Sequence, residues 1–156
     1  MDVLEAVRDE LIDGGLGLSS GTCYVTALTA FVAGSPPFHV QVVDNGETRE
    51  GDAGGNTLGE RVSVKVSVFV HMALDQEGRT EQVLIKESAG LKARALAIRA
   101  LLNGNWLEVQ QGRTVTRLLE VPLYWQETMA AEAHPVDPTW VRKDLVFVGY
   151  KFSRSA

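Results

Sequence analysis

Acidic side chains that could carry out acid–base chemistry are concentrated in one stretch of the chain. They are Asp44, Glu47, Glu50, Asp52 and Glu60. Two carboxylates act as general acid and base only when a cleft holds them close together. The stretch 45–60 instead contains five glycines and almost no large apolar side chain. It is therefore interpreted as a long solvated loop, and a catalytic carboxylate pair is the less favoured alternative.

Two glycines of this stretch are spaced as in a phosphate-binding P-loop. After Gly54 and Gly59, however, Glu60-Arg61 stands where a Lys-Ser/Thr pair is required, and a strand pattern follows instead of a helix. A phosphate would find neither its lysine nor the amides of a helix N-terminus. No serine is expected on the strand-to-helix turn of a hydrolase nucleophile. We expect no nucleotide, no other cofactor and no enzymatic activity.

The three histidines are far apart in the sequence, at His39, His71 and His134. The first two alternate with apolar residues on predicted strands, so we expect them to face solvent or an interface. His134 and Asp137 are spaced as two possible metal ligands in a proline-containing loop, but two ligands are weak support for a metal site. We predict no metal centre.

Basic residues on a predicted helix are candidates for a contact with an acidic partner. They are Lys92, Arg94 and Arg99, with Lys86 one turn or more before them. Such residues usually form only the solvated side of an amphipathic helix. The alternative is an interface with an acidic surface, including another copy of this chain.

Composition restricts the class of protein. The chain has 156 residues, a formal charge of −5 and a pI near 5.2. This balance opposes sequence-independent binding to DNA, which depends on Lys and Arg. The single cysteine, Cys23, excludes an internal disulfide framework. No apolar run is long enough for a membrane span, and the acidic N-terminal segment is unlike a signal peptide, so we expect a soluble protein made in the cytoplasm.

Alternating valines form the clearest structural pattern. The valines are Val62, Val64, Val66, Val68 and Val70, and mostly polar residues stand between them. Because successive side chains of a strand point to opposite faces, this pattern predicts a strand with one buried face.

Helical spacing occurs at residues 2–13 and again through residues 84–102. The first segment has Asp2 as a possible N-cap and Gly14-Gly15 as its end. The second carries an apolar stripe made by Leu84, Ser88, Leu91, Ala95, Ile98 and Leu102. Gly90 lies inside this predicted helix, and Asn103-Gly104 ends it.

The other segments predict further strands and a second long loop. Strand patterns occur at 38–42 and 145–152, and 106–109 with 113–125 suggest a hairpin around Gly112. Residues 22–32 form either a strand or an irregular arm, and 127–143 a loop. The order of helix, strands, helix, strands predicts an α+β class, with a mixed or mainly antiparallel sheet backed by two helices in one domain, 1–156.

Several of these segments together resemble the tail terminator proteins of long-tailed bacteriophages, the lambda-type minor tail proteins. The N-terminal helix followed by Gly15-Leu16-Gly17-Leu18, and the segment 34–44 before a glycine-rich stretch, look like the family's opening half. The valine strand ending at His71, the long helix and the late strand 144–152 resemble its centre and end.

The resemblance implies a virion protein that forms a ring, commonly a hexamer, at the head-proximal end of the tail tube. Its partners would be other copies, the tail tube protein and the head-tail connector, with DNA passing through unbound and no membrane contact. Glu47, Glu50, Asp52 and Glu60 would line the lumen, while Lys92, Arg94 and Arg99 would lie at an interface. The alternatives are another neck protein, such as a head-tail connector or tail completion protein, a small ligand-binding or enzymatic domain, and a generic adaptor.

Overall fold

The computed structural model describes residues 2–32, 35–51, 57–72 and 90–151. Within these ranges the chain forms two helices and eight strands. Their bounds are α1 Val3–Asp13, β1 Cys23–Thr26, β2 Phe38–Gly51, β3 Thr57–His71, α2 Gly90–Leu102, β4 Glu108–Gln111, β5 Thr114–Arg117, β6 Leu119–Thr128, β7 Glu132–Ala133 and β8 Trp140–Lys151. No helix within these ranges is long and apolar enough to cross a membrane.

Helix α1 confirms the prediction for residues 2–13. Asp2 is the N-cap, and its carboxylate accepts a hydrogen bond from the backbone N–H of Glu5 at 2.8 Å. This bond satisfies one of the amides that the first turn of a helix leaves without an intrahelical partner. Val3, Val7 and Leu11 are buried at helical spacing, so this side of the helix packs into the core.

Helix α2 confirms the buried positions Leu91, Ile98 and Leu102. The described helix starts at Gly90, whose φ of +77° lies outside the helical region and is readily adopted by glycine. Gly90 is thus the first residue of the described helix. Leu84 and Ser88 of the predicted stripe lie outside the described residues.

The sheet is mixed and mainly antiparallel. Its strand order is β1-β2-β3-β8-β6, with β7 also pairing with β8, and β4 and β5 form a separate two-stranded ribbon. Strand β1 is parallel to β2, and the other pairs are antiparallel. This arrangement confirms the predicted α+β class, with two helices backing a mixed sheet in a single domain.

The valine strand is the centre of the core, as predicted. Every valine from Val62 to Val70 on the inner face of β3 is exposed by 2% or less. Helices α1 and α2 pack on this face, which also carries Val40 and Val42 of β2 and Leu145 and Phe147 of β8. Each such side chain stabilises the folded state by about 1.5–3 kcal/mol relative to full exposure.

The opposite face of the sheet is also covered, contrary to the prediction of one buried face. Its buried residues include His39, Gln41, Ser67 and Phe69, all exposed by 1% or less. The prediction that His39 faces solvent or an interface was therefore wrong. The alternation pattern did not reveal that this face is buried, because its residues are polar and aromatic. Alternation identifies a buried face only when that face is apolar.

Residues 27–32, called the arm here, cover this outer face. The side-chain amide of Gln41 bonds to both backbone groups of Ala30, accepting from its N–H at 3.2 Å and donating to its C=O at 2.9 Å. Phe31 places its ring edge-on to Phe69, with centroids 5.2 Å apart. Both interpretations of residues 22–32 thus apply in succession, because strand β1 leads into an irregular arm.

Most of the predicted loop 45–60 is strand instead. Strand β2 continues to Gly51 and β3 begins at Thr57, and both are joined by an antiparallel ladder. Ladder hydrogen bonds come from the backbone, so they do not require the apolar side chains that this stretch lacks. Gly46 and Gly59, with φ of +106° and +139°, lie next to shifts in the register, where glycine accommodates irregular backbone.

The predicted loop 127–143 is also shorter than expected. Strand β6 continues to Thr128, and β8 begins at Trp140, with β7 between them. The predicted strand at 145–152 is thus the second part of β8.

The predicted hairpin around Gly112 is confirmed in a narrower form. Strands β4 and β5 pair across a turn that contains Gly112 at φ +63°. The predicted strand 113–125 divides after Arg117, and β6 joins the main sheet beside β8.

Candidate assembly surfaces

In the β2–β3 hairpin, the acidic side chains that the structure describes are exposed to solvent. Glu47 forms an ion pair with Lys151 of β8 at 2.9 Å. Glu60 lies opposite Lys151 in the ladder, so the three charges are neighbours. Glu50 lies in β2, and Asp52 is outside the described residues. The structure thus brings Glu47 and Glu60 together beside Lys151.

The cations of α2 are largely engaged within the chain. The Arg94 guanidinium lies 3.5 Å from the centre of the Phe38 ring, and that of Arg99 lies 3.6 Å from the Trp125 ring. Such cation–π contacts contribute about 0.5–2 kcal/mol, depending on how dry they are. The arginines therefore attach α2 to the sheet as well as offering charge at its surface.

Lys92 is half-buried and lies near a second lysine of the sheet. Lys143 of β8 has its pKa lowered, first by burial and then by the positive charge of Lys92. Both effects disfavour the charged amine. This pair places two lysines close together between α2 and β8.

The two-stranded ribbon, residues 108–117, is largely exposed. All four residues of β5 are exposed, including Val115 at 57%. At its base, Arg117 pairs with Glu108 at 3.6 Å and lies 4.4 Å from the Trp106 ring centre. A two-stranded hairpin is marginal in water by itself, so a partner surface would stabilise it further.

Three histidines that are distant in the sequence meet in one aromatic cluster on the outer face. His39 stacks on Phe69 with centroids 4.6 Å apart and meets the edge of Trp140 at 5.5 Å. His71 contacts the other side of this cluster through Trp140 at 4.9 Å, and His134 contacts Phe31 at 4.6 Å. The sequence indicated no such grouping, because the sheet register, the arm and the loop after β7 bring these residues together only in the folded chain.

Hydrogen bonds hold residues 134–139, the loop between β7 and β8, in place beside this cluster. The Thr139 hydroxyl donates to Asp137 and so accepts a bond from Nε2 of His71 at 3.1 Å. The Thr139 bond also lowers the pKa of the Asp137 carboxyl. His134 Nδ1 accepts from the backbone N–H groups of Val136 and Asp137, each at 3.0 Å. With its proton directed to Asp137, Thr139 is not placed as a nucleophile activated by His71.

His39 itself is buried, with Nδ1 at 2.9 Å from the carbonyl oxygen of Pro36. Burial lowers the pKa of His39, and the Pro36 contact opposes that effect only in part. The ring is therefore neutral at pH 7, with Nδ1–H donating to Pro36. Among the residues that the structure describes, no three of His, Cys, Asp or Glu are grouped so as to hold a metal ion.

One serine motif of the sequence resembles that of a hydrolase nucleophile but lies in a different structural context. Gly17-Leu18-Ser19-Ser20-Gly21 fits the pattern Gly-x-Ser-x-Gly, which the sequence interpretation overlooked. Its elbow requires a strand followed by a helix, but here a helix precedes the turn and strand β1 follows. The backbone N–H of Ser19 donates a hydrogen bond to the Thr22 hydroxyl oxygen at 2.9 Å, which is a turn contact.

Concave sites of different sizes occur among the described residues. A cavity of about 210 Å³ is lined by Phe31, Val32, His134, Asp137 and Trp140. Pockets for small molecules usually enclose roughly 300–1,000 Å³. A wider, open groove of about 390 Å³ lies near Glu10, Asn105 and Trp106.

No protein-family model and no curated protein matches this chain. The fold is similar to that of a chain in a solved structure of the virion of a native gene transfer agent particle, with a TM-score of 0.59. The two chains are 20% identical, and the match covers 96% of this chain and 93% of that chain. The likeness is therefore one of fold, and it extends over nearly the whole of both chains.

Proposed function

We propose that this chain is a structural protein of a phage-like particle and forms a ring at the head-proximal end of the tail tube. The observation that carries the proposal is the fold match to a chain of a gene transfer agent virion, which extends over 96% of this chain. A tail terminator is the component whose order of elements the sequence resembles. The protein would then be part of the virion, in its neck or tail.

The mechanism is steric and needs no substrate turnover. A ring seated on the last ring of tube protein covers the surface on which the next would add, so polymerisation ends. The opposite face of the ring then offers the docking surface for the head-tail connector. Each copy in a ring meets its two neighbours through different patches, and the rotation between copies determines whether the ring closes. We propose a hexamer.

Two roles are open to the acidic hairpin of β2 and β3 in such a ring. Carboxylates facing the lumen would repel phosphates and let DNA pass without the salt-sensitive grip that basic residues provide. The same hairpin could instead contact a neighbouring copy. The presence of Glu47 in a regular strand, and not in a loop, supports the second role.

Another neck protein, either a head-tail connector or a tail completion protein, is the main alternative, since the fold match supports any virion component. A ligand-binding or enzymatic domain has less support. The cavity beside the histidine cluster, of about 210 Å³, is small, and the polar groups beside it bind one another.

Electron microscopy of the purified chain, with sedimentation velocity on the same sample, tests ring formation. Annular particles of uniform subunit number are expected. A chain that stays monomeric over the full concentration range, alone and with tube protein, would contradict the proposal.

Tube polymerisation separates a terminator from other neck proteins. Tail tube protein from the same particle is polymerised with and without this chain, and tube lengths are measured. A terminator gives shorter tubes with the added protein at one end only. Tubes of unchanged length, with binding to connector rings alone, would assign the chain to the connector side of the neck.

A further inference from the structure

The ribbon has an edge suited to pairing with another strand. Strand β5 pairs with β4 on one side, and no other described strand pairs with its outer side. Its residues are all exposed. Exposed strand edges add a strand from another chain readily, because their backbone donors and acceptors are already aligned.

Strand β2 has a second edge of this kind. Strand β1 pairs with β2 only from Val40 to Val43, and beyond Val43 no strand in the described part of the chain lies on that side. Register shifts at Asp44/Glu47 and Glu50/Gly51 limit the regular run to Glu47–Glu50. This run is four residues long, and β5 also has four residues.

The two edges lie at the same end of the sheet and on its two lateral sides. Lys151 of β8 pairs with Glu60 of β3 on one side and with Leu119 of β6 on the other. The β2 edge lies one strand beyond Glu60, and the ribbon ends immediately before Leu119. One copy can therefore use its ribbon toward one neighbour and its β2 edge toward the other, as a closed ring requires.

The charges of the two segments are complementary. Residues 44–60 contain five acidic residues and one arginine, which gives a net charge of −4. The ribbon contains Arg113 and Arg117 against Glu108, a net charge of +1. Opposite charges on adjoining strands stabilise pairing, and like charges oppose it. An antiparallel pairing places Glu47 opposite Arg117, and hence Thr48 opposite Thr116.

We propose that β5 of one copy adds to the Glu47–Glu50 edge of β2 in the next copy, so that a second copy of this chain occupies this edge. The inference rests on the proposed ring and identifies its subunit contact. It assigns the acidic hairpin to the contact between subunits and not to the lumen wall.

Cysteine cross-linking of the full chain tests the pairing directly. Residues opposite each other in an antiparallel pair have Cα atoms about 4.5–5.5 Å apart, which a disulfide can bridge. Thr48 and Thr116 are both exposed. The double variant T48C/T116C is therefore expected to give disulfide-linked oligomers under mild oxidation. Native Cys23 is buried, and burial raises its pKa to about 12, so its thiol does not compete.

The matched control is T48C/A130C, which places the second thiol at an exposed site outside the ribbon. It should remain mostly uncross-linked under the same conditions. Equal cross-linking of the two variants would mean random collision and would overturn the proposal.

Charge reversal provides an independent test by sedimentation. R117E should weaken self-association by about tenfold or more, since it turns an attraction into a repulsion. Adding E47K to R117E should restore at least part of the association. Rescue distinguishes a contact between copies from local damage to the ribbon, because Glu47 and Arg117 belong to separate elements of one chain.

The failures of the two proposals are distinguishable. If R117E still forms rings like those of the wild type and T48C/T116C gives no cross-links, the proposed contact is overturned. The ring proposal then stands. Cross-linked open chains without rings would support the contact and contradict the ring. Normal rings with impaired DNA passage after reversal of Glu47, Glu50 and Asp52 to lysine would assign the hairpin to the lumen and overturn the contact.

Discussion

Replacing Leu91 with alanine perturbs the packing of α2 against the sheet without changing an exposed side chain. Leu91 is 0% exposed and belongs to the central core. The substitution removes three carbon atoms, and at about 0.8 kcal/mol per methylene the lost transfer free energy is about 2.4 kcal/mol. The cavity that is left brings the expected loss in the free energy of unfolding to about 2–5 kcal/mol. For a chain of this size, the melting temperature should fall by roughly 4–20 °C.

Urea denaturation followed by circular dichroism measures the effect, at a protein concentration where the chain is monomeric. The matched control is L28A, the same chemical change at a side chain that is 80% exposed. It should cost less than about 0.5 kcal/mol. Equal and small losses at the two positions would refute the burial of Leu91 and the assignment of the apolar stripe on α2.

Three further predictions concern single side chains. Val66→Asp should prevent folding because it places an unpaired charge in the core at a residue that is 0% exposed, and a cooperative melting transition in this variant would contradict the placement of β3. Arg99→Ala should cost about 0.5–2 kcal/mol through loss of its contact with Trp125, whereas Lys92→Ala should cost under about 0.5 kcal/mol in the same denaturation assay. Because burial lowers the folded-state pKa of His39, the unfolded chain takes up a proton that the folded chain resists. The free energy of unfolding should thus fall as the pH drops below about 6.5, and His39→Phe should flatten this pH dependence.

Local patterns in the sequence predicted two kinds of element. In one, the stabilising partner lies a few residues away in the chain; in the other, the buried side chains are all of one apolar type. The Asp2 cap needs only the Glu5 amide three residues away, so it could be predicted. The valines of β3 could be predicted because alternation of one apolar type identifies a face without reference to what covers it. The ribbon turn at Gly112 depended on a local backbone preference in the same way.

The candidate assembly surfaces were predicted only in part. Lys92, Arg94 and Arg99 were correctly placed on one helix, but the sequence does not show that Arg94 and Arg99 lie over aromatic rings of distant strands. Glu47 was correctly identified as acidic and exposed, yet it was assigned to a loop. Its strand depends on a backbone ladder with β3, which leaves no mark in side-chain hydrophobicity.

Only the tertiary structure decided what lies on the outer face of the sheet. His39 alternates with apolar residues and reads as a surface histidine, but the arm and Trp140 bury it. The residues that cover it are far away in the sequence or lack a regular period. A local period reports how a segment's own side chains alternate, whereas burial depends on which other segments the fold brings against them. For this reason the sequence indicated the sheet and its inner core, and the second covered face and the two lateral edges became visible only in three dimensions.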